Sequence, residues 1–159
     1  MHKELRPETQ AIRIQTRRTA EMEHSTPLFL TSGFCYDAAE DMAAAFADDT
    51  LDVNIYSRFS NPNVDEFIQK VCALEGAEDG IATGTGMAAI FSAFMTFLGQ
   101  GDHILSASAV FGSTHTILTK YLPKWGIEST YFDMTKPGTI ENLIRPNTRM
   151  LYLETPSNP

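Results

Sequence analysis

From residue 61 onward the sequence alternates between segments of helical spacing and short apolar segments, and this alternation constrains the fold more than any other feature. Asn61 followed by Pro62 is a typical helix start, and Gly76 is a typical helix end. Between them, apolar residues recur every three or four positions. The same patterns predict further helices at 87–98, 113–122 and 140–145, and strands at 80–83, 103–106, 127–132 and 150–153.

Helices that alternate with strands are typical of βαβ units, in which the strands run parallel and the connections are right-handed. The last predicted strand, 150–153, is continuously apolar, as expected for a buried parallel strand. The sequence therefore predicts an α/β fold with a mostly parallel sheet and flanking helices. Residues 1–35 show only one weak helical pattern and an apolar stretch at 27–31, so we expect an arm that packs on something else rather than standing alone.

The charge balance excludes several classes of function. The chain has 12 Lys and Arg against 20 Asp and Glu, a net charge of −8, so neither a large nucleic-acid footprint nor an anionic membrane surface is an expected partner.

Cys35 and Cys72 are too few for a disulfide framework and lack metal-binding spacing. No apolar run reaches membrane-spanning length, and the polar start is not a signal peptide. We expect a cytoplasmic protein.

Six of the acids lie in the segment 37–57, which contains no Lys or Arg. Because apolar residues recur at helical spacing beside them, we interpret the segment as the solvated face of a helix. A metal-binding carboxylate cluster is the alternative interpretation. The first interpretation needs no metal, and we expect none.

A glycine-containing turn at 83–89 is the most informative candidate site. It follows a predicted strand and opens a predicted helix, a context in which free backbone N–H groups attract an anion such as phosphate. As Gly84-x-Gly86-x-x-Ala89 it also fits a dinucleotide-binding pattern, but the acid expected at the end of the next strand is missing. A third interpretation is a tight turn without a ligand. The residues alone leave these three possibilities open.

Two further segments carry polar groups suited to an anionic ligand. Arg58, just before a helix start, offers a bidentate fork, and Tyr56 offers a hydroxyl donor; alternatively, Arg58 is a surface residue paired with an acid. The segment 154–159 follows a predicted strand, and ligands of open α/β sheets bind beyond the carboxyl ends of strands. A polar loop at such a position is also commonplace.

Six motifs occur together in an order and spacing that resemble one family. They are Tyr56-Ser-Arg58 with Asn61-Pro62, Leu74-Glu-Gly-Ala77, Thr85-Gly-Met-Ala-Ala89, Gly101-Asp102, Val110-Phe-Gly-Ser-Thr114 and Glu154-Thr-Pro-Ser-Asn-Pro159. Together they are similar to the pyridoxal-phosphate (PLP) enzymes of cysteine and methionine metabolism, the cystathionine γ-synthase-like group of fold type I. Phe111 within its motif is most similar to the sulfhydrylases that act on O-succinyl- or O-acetylhomoserine.

The resemblance implies roles for particular residues. The backbone N–H groups of Thr85, Gly86 and Met87 would hold the cofactor phosphate at the helix start. Tyr56 and Arg58 would reach across a dimer interface to the phosphate of the neighbouring subunit. Tyr56 is also the candidate catalytic residue.

Two more residues receive roles from the resemblance. Phe111 would stack on the pyridine ring, where many members of the family have a Tyr, so any acid–base role of that Tyr must be absent or performed elsewhere. Asn158 would lie near the 3′-oxygen of the cofactor and the substrate carboxylate. None of the five lysines matches the Schiff-base lysine motif of the family. We therefore expect the chain to be the N-terminal portion of a longer polypeptide and to be inactive by itself.

The resemblance also implies an organisation and an activity. Residues 1–60 would be an N-terminal arm and dimer-contacting segment, and 61–159 the first part of a fold-type-I transferase large domain. The expected activity is γ-replacement on an O-acylated homoserine, in which sulfide or a thiol replaces the acyl group to give homocysteine or cystathionine. The expected partners are an amino-acid substrate and copies of the same chain, as a dimer with shared active sites or a tetramer.

Three alternatives remain open at the level of sequence. Elimination of the methionine γ-lyase or cystathionine lyase type belongs to the same family. A nicotinamide-binding Rossmann module and a non-catalytic oligomerisation module belong to different classes of protein.

Overall fold

The computed structural model describes residues 5–14, 18–48 and 50–157. They fall into two compact units that divide between residues 82 and 83. The helices of the first unit are α1 (Pro7–Arg13), α2 (Ala39–Ala47) and α3 (Pro62–Glu75). The second unit contains α4 (Gly86–Phe97), β1 (His103–Ala107), α5 (Gly112–Thr116), a π-helix (Ile117–Tyr121), a 3₁₀ turn (Leu122–Trp125), β2 (Glu128–Phe132), two more 3₁₀ turns (Pro137–Thr139 and Glu141–Leu143) and β3 (Thr148–Tyr152).

In the first unit, α3 begins and ends where the sequence predicts. The side chain of Asn61 accepts a hydrogen bond from the N–H of Asn63 at 2.9 Å, the ordinary N-cap arrangement. Gly76 ends the helix with a φ of 65°, a left-handed conformation that favours glycine. Part of the acidic segment that precedes it forms α2, which carries Glu40 and Asp41, so the helical interpretation is confirmed for 39–47; Asp37, Asp48 and Asp52 lie outside this helix.

Side chains at the start of α3 hold the apolar stretch 27–31 against the helix. Asn63 donates to the carbonyl of Pro27 and accepts from the N–H of Phe29, both at 2.8 Å. Asn61 donates to the carbonyl of Phe29 at 3.0 Å. Two asparagines therefore satisfy backbone groups that a strand partner would otherwise satisfy.

In the second unit, three parallel strands form a sheet in the order β2-β1-β3, which confirms the predicted parallel sheet. All five residues of the central strand β1 are buried. The main core cluster joins α4 to the sheet and to the segment after α5; its buried members are Phe94, Leu98, Ile104, Ile117, Leu118, Leu122 and Ile127. Phe94 is fully buried within it.

His103 is one of two polar residues of the central strand, and it is fully buried. Its Nδ1 lies 2.7 Å from Oγ1 of Thr148 on β3, and its Nε2 lies 2.9 Å from Oγ1 of Thr130 on β2. The imidazole thus joins both neighbouring strands. Burial, reinforced by the nearby Arg145 guanidinium, lowers the pKa of His103 below its ordinary value of 6.5.

Two predicted strands differ from the structure. Residues 80–83 form no strand, and Ile81 is 91% exposed; a short apolar run becomes a strand only when another strand pairs with it, and none among the described residues does. The last strand is present, but Leu151 is 52% exposed. The expectation of full burial at 150–153 is therefore wrong in this chain, because β3 lies at the edge of the sheet.

Two predicted helices also differ. The segment 113–122 is α-helical only at its start and then widens into the π-helix, while Pro123 lies inside the following 3₁₀ turn. Pro123 has no N–H to donate to an earlier carbonyl, and Thr116 and Thr119 donate to the carbonyls four residues before them, which disturbs a helix. Residues 140–145 form a 3₁₀ turn instead of an α-helix, because so short a segment is a poor helix without extensive packing.

None of the described helices is both long and apolar enough to cross a membrane.

We predict that His103 makes stability depend on pH. The pKa of His103 is lower in the native state than its ordinary value of 6.5, so the unfolded state binds more protons as the pH drops through 6.5, and the free energy of unfolding falls. One proton contributes a slope of at most about 1.4 kcal/mol per pH unit. Urea unfolding between pH 7.5 and 5.5 should show this slope in the parent protein and a smaller one in His103→Gln. Equal slopes in both would contradict the assignment.

Candidate functional site

The start of α4 presents backbone donors that the helix itself does not use. Oγ1 of Thr85 accepts the N–H of Ala88 at 3.1 Å, and the carbonyl of Thr85 accepts the N–H of Ala89 at 3.1 Å. The N–H groups of Gly86 and Met87 precede the first helical hydrogen bond and therefore have no acceptor within the helix. They remain available to an external acceptor.

The glycine α-carbons at this helix start have open surroundings. A Cβ atom built on Gly84 or Gly86 would meet no atom within 4 Å. The twelve residues of α4 also place the positive end of a helix dipole at this position. Free N–H groups, a favourable dipole and accessible backbone together fit a phosphate group.

The segment that carries Tyr56 and Arg58 is held by backbone pairing within the first unit. Gly33 and Tyr56 form an antiparallel bridge. The N–H of Ser57 donates to the carbonyl of Ser32 at 2.9 Å, and the N–H of Phe34 donates to the carbonyl of Ile55 at 3.2 Å. Although the segment is a loop, its backbone position is therefore determined by hydrogen bonds.

Aromatic rings hold the side chain of Arg58. Its guanidinium carbon lies 5.1 Å from the ring centre of Tyr56 and 5.2 Å from that of Phe59, both within cation–π range. No carboxylate among the described residues forms an ion pair with Arg58. The alternative prediction, that Arg58 is a surface arginine paired with an acid, is therefore wrong for the described part of the chain.

Phe111 precedes α5, and its backbone is tied to the end of β3. The N–H of Phe111 donates to Oε2 of Glu154 at 2.8 Å. Oε1 of the same carboxylate accepts from Oγ1 of Thr114 at 3.0 Å and from the hydroxyl of Tyr152 at 2.9 Å. The segment 154–159 is a candidate from the sequence, which predicts no particular role for Glu154. The available signal was an acid directly after a predicted strand.

Tyr152 connects this carboxylate to the core. Its ring packs edge-on against Phe94 with centroids 4.9 Å apart. Burial, together with the hydrogen bond to Glu154, raises the pKa of Tyr152 to about 12. The hydroxyl therefore stays protonated at physiological pH and remains a donor to Glu154.

The core also positions the other candidates of the second unit. Met87 at the start of α4 and Val110 just before Phe111 both pack against the cluster around Phe94. Tyr56 and Arg58 belong to the first unit. Asn158 lies outside the described residues.

In the described part of the chain, no group of three His, Cys, Asp or Glu residues is placed to hold a metal ion, so the alternative of a carboxylate metal cluster finds no support there.

Comparisons with known proteins bear on this site. Residues 8–159 match the family described as Cys/Met metabolism PLP-dependent enzyme. An O-succinylhomoserine sulfhydrylase of Pseudomonas aeruginosa is 41% identical over 152 residues, which are 96% of this chain and 38% of that protein. An L-methionine gamma-lyase of Porphyromonas gingivalis is 40% identical over 135 residues, 85% of this chain and 34% of that protein.

A solved structure is similar as well. It is that of a Campylobacter jejuni protein described as an O-acetylhomoserine (thiol)-lyase, and it contains N′-pyridoxyl-lysine-5′-monophosphate. The TM-score is 0.88 at 31% identity, over 98% of this chain and 38% of that one. The chain therefore spans less than two fifths of the length of the relatives that it matches.

These similarities confirm the predicted α/β fold of the fold-type-I PLP enzymes. They favour the PLP family over the alternative of a nicotinamide-binding module. The family match covers both segments that carry candidate phosphate ligands, Tyr56–Arg58 and Thr85–Met87. The chain belongs to the family of PLP-dependent enzymes of cysteine and methionine metabolism, whose cofactor is pyridoxal 5′-phosphate.

Proposed function

We propose that the enzyme that carries this chain performs γ-replacement on an O-acylated homoserine, with sulfide or a thiol entering and the acyl group leaving. The observation that carries the proposal is the 41% identity, over 96% of the chain, with an O-succinylhomoserine sulfhydrylase. Elimination of the methionine γ-lyase type is the second candidate, and the 40% identity with an L-methionine gamma-lyase favours it.

In this proposal the start of α4 holds the cofactor phosphate. The N–H groups of Gly86 and Met87 have no acceptor in the helix, and no side chain fills the space in front of Gly86. The N–H of Thr85 would add a third donor beside them. Bound PLP supplies an electron sink for the charge that develops at the substrate α-carbon.

In this proposal the protein is a homodimer with shared active sites. Arg58 of one subunit supplies a positive charge, and Tyr56 a hydroxyl, to the cofactor phosphate that is held at the start of α4 in the neighbouring subunit. Two observations support this role. The guanidinium lies over the Tyr56 and Phe59 rings, and no carboxylate of the described residues neutralises it. Its planar fork suits phosphate oxygens. A tetramer of two such dimers belongs to the same proposal.

Phe111 stacks on the pyridine ring in this proposal and cannot transfer a proton, because it has no hydroxyl. Proton transfer at the substrate therefore needs another group, and within this chain the phenol of Tyr56 is the candidate. Asn158 would contact the 3′-oxygen of the cofactor and the substrate carboxylate. Residues 1–60 would form the arm and dimer contact, and 61–159 the first part of the PLP-binding domain. We propose a cytoplasmic location, as expected for a metabolic enzyme.

The activity is tested by supplying the full-length enzyme with O-succinylhomoserine or O-acetylhomoserine and sulfide, and separately with methionine alone. We expect release of homocysteine in the first reaction and little release of methanethiol in the second. The reverse result, methanethiol from methionine and no homocysteine, would replace γ-replacement with elimination.

A substitution at the helix start should separate cofactor binding from folding. Because a Cβ at Gly86 meets no atom within 4 Å, Gly86→Ala should leave the cofactor-free protein as stable as the parent or up to about 1 kcal/mol more stable. The added methyl group occupies phosphate space, so PLP affinity should fall about 10-fold or more. Gly138→Ala, another glycine with open surroundings, is the matched control and should leave the PLP affinity unchanged. Unchanged PLP affinity in Gly86→Ala would place the phosphate elsewhere.

Removal of the Arg58 charge should also weaken the cofactor. Arg58→Ala should raise the Kd for PLP by about 10- to 100-fold, since charge-assisted hydrogen bonds to phosphate are among the stronger ones. The measurement is a titration of the visible absorption band of bound PLP. Arg149→Ala removes an exposed arginine from the second unit and should have no effect on the Kd. Equal Kd values for parent and Arg58→Ala would remove Arg58 from the site.

A further inference from the structure

We infer that Glu154 is a positioning residue, which sets the direction in which Phe111 presents its ring to the cofactor. This inference rests on the proposed function, because it assumes that PLP lies against Phe111. The assignment comes from hydrogen bonds and burial in the second unit.

The carboxylate of Glu154 joins three donors from two parts of the fold. Phe111 and Thr114 belong to the start of α5, whereas Tyr152 is the last residue of β3. Thr114 is fully buried and Tyr152 is half-buried, so two of the three donors lie in well-packed surroundings. The third, the N–H of Phe111, is the group whose position the carboxylate determines.

The Phe111 ring has little else to orient it. It is 42% exposed, and among the described residues no other aromatic ring stacks on it. Its backbone, in contrast, is tied on both sides. The N–H donates to Glu154, and the carbonyl accepts from the N–H of His115 at 3.0 Å. The direction of the ring therefore depends on the backbone, and on the acceptor that Glu154 provides.

A carboxylate suits this position better than its amide analogue. All three partners donate, and an ionised carboxylate has two acceptor oxygens and no donor. A glutamine has one acceptor oxygen, so its NH₂ group would face either the N–H of Phe111 or the hydroxyls of Thr114 and Tyr152. The hydroxyls can rotate to accept, but the N–H cannot. Glu154→Gln is therefore a small change that disturbs Phe111 selectively.

The test is a double-mutant cycle on the full-length enzyme, with PLP affinity and the circular dichroism of bound PLP as readouts. Glu154→Gln should raise the Kd for PLP about 10-fold and weaken the dichroism band, which reports how the cofactor is held in its asymmetric site. Glu141→Gln, which removes the same charge from an exposed turn, should change the Kd less than about 2-fold.

The Phe111→Ala background decides whether Glu154 acts through Phe111. There, Glu154→Gln should add less than about 2-fold to the Kd, because the ring that it positions is absent. A 10-fold effect in both backgrounds, or no effect in the parent, would overturn the inference. If Glu154→Gln does not fold, Thr114→Val is the substitute, because it removes one donor that orients the carboxylate. Thr114→Val should raise the Kd for PLP about 3-fold when Phe111 is present and leave it unchanged in the Phe111→Ala background. An unchanged Kd in the presence of Phe111 would also overturn the inference. Failure of the parent enzyme to bind PLP would instead overturn the proposed function.

Discussion

The packing of α4 against the parallel sheet is the constraint on which the second unit depends. Phe94 is fully buried at the centre of this contact, with Ile104 of the central strand in the same cluster and the ring of Tyr152 edge-on to it. A core of this kind tolerates little movement, because its atoms are close-packed. The helix start with its free N–H groups and the end of β3 are thereby held on one rigid body.

Polar contacts extend this order from the core to the candidate site. Tyr152 packs on Phe94 with its ring and donates to Glu154 with its hydroxyl, and Glu154 in turn accepts the N–H of Phe111. His103 performs a similar task within the sheet, where it joins Thr130 and Thr148 on the two outer strands. His103 is fully buried and Glu154 partly buried, and each accepts or shares hydrogen bonds with residues distant in sequence, which fixes its geometry.

Features set by neighbouring residues were predictable from sequence. Asn61 with Pro62 marks a helix start, and Gly76 marks its end, because capping needs only local backbone groups. The helix start at Gly86, which is the candidate phosphate site, was predictable for the same reason, since a helix start creates free N–H groups wherever it occurs. The strand predicted at 80–83 is absent, because a strand needs a partner to pair with. The helix predicted at 140–145 is also absent, because a short helix needs a packing surface.

The sequence by itself thus determined the α/β fold, the helix start that is the candidate phosphate site, and the family, since these depend on local spacing and on motifs in a fixed order. Only the tertiary structure decided that Arg58 lies over two aromatic rings rather than beside an acid. It also decided that Glu154 holds the backbone of Phe111, 43 residues away in the chain. The Glu154 contact depends on how distant segments pack together, and residue spacing along the chain carries no information about it. The rings that contact Arg58 are its neighbours in sequence, but the conformation of this loop depends on backbone pairing with residues 32–34.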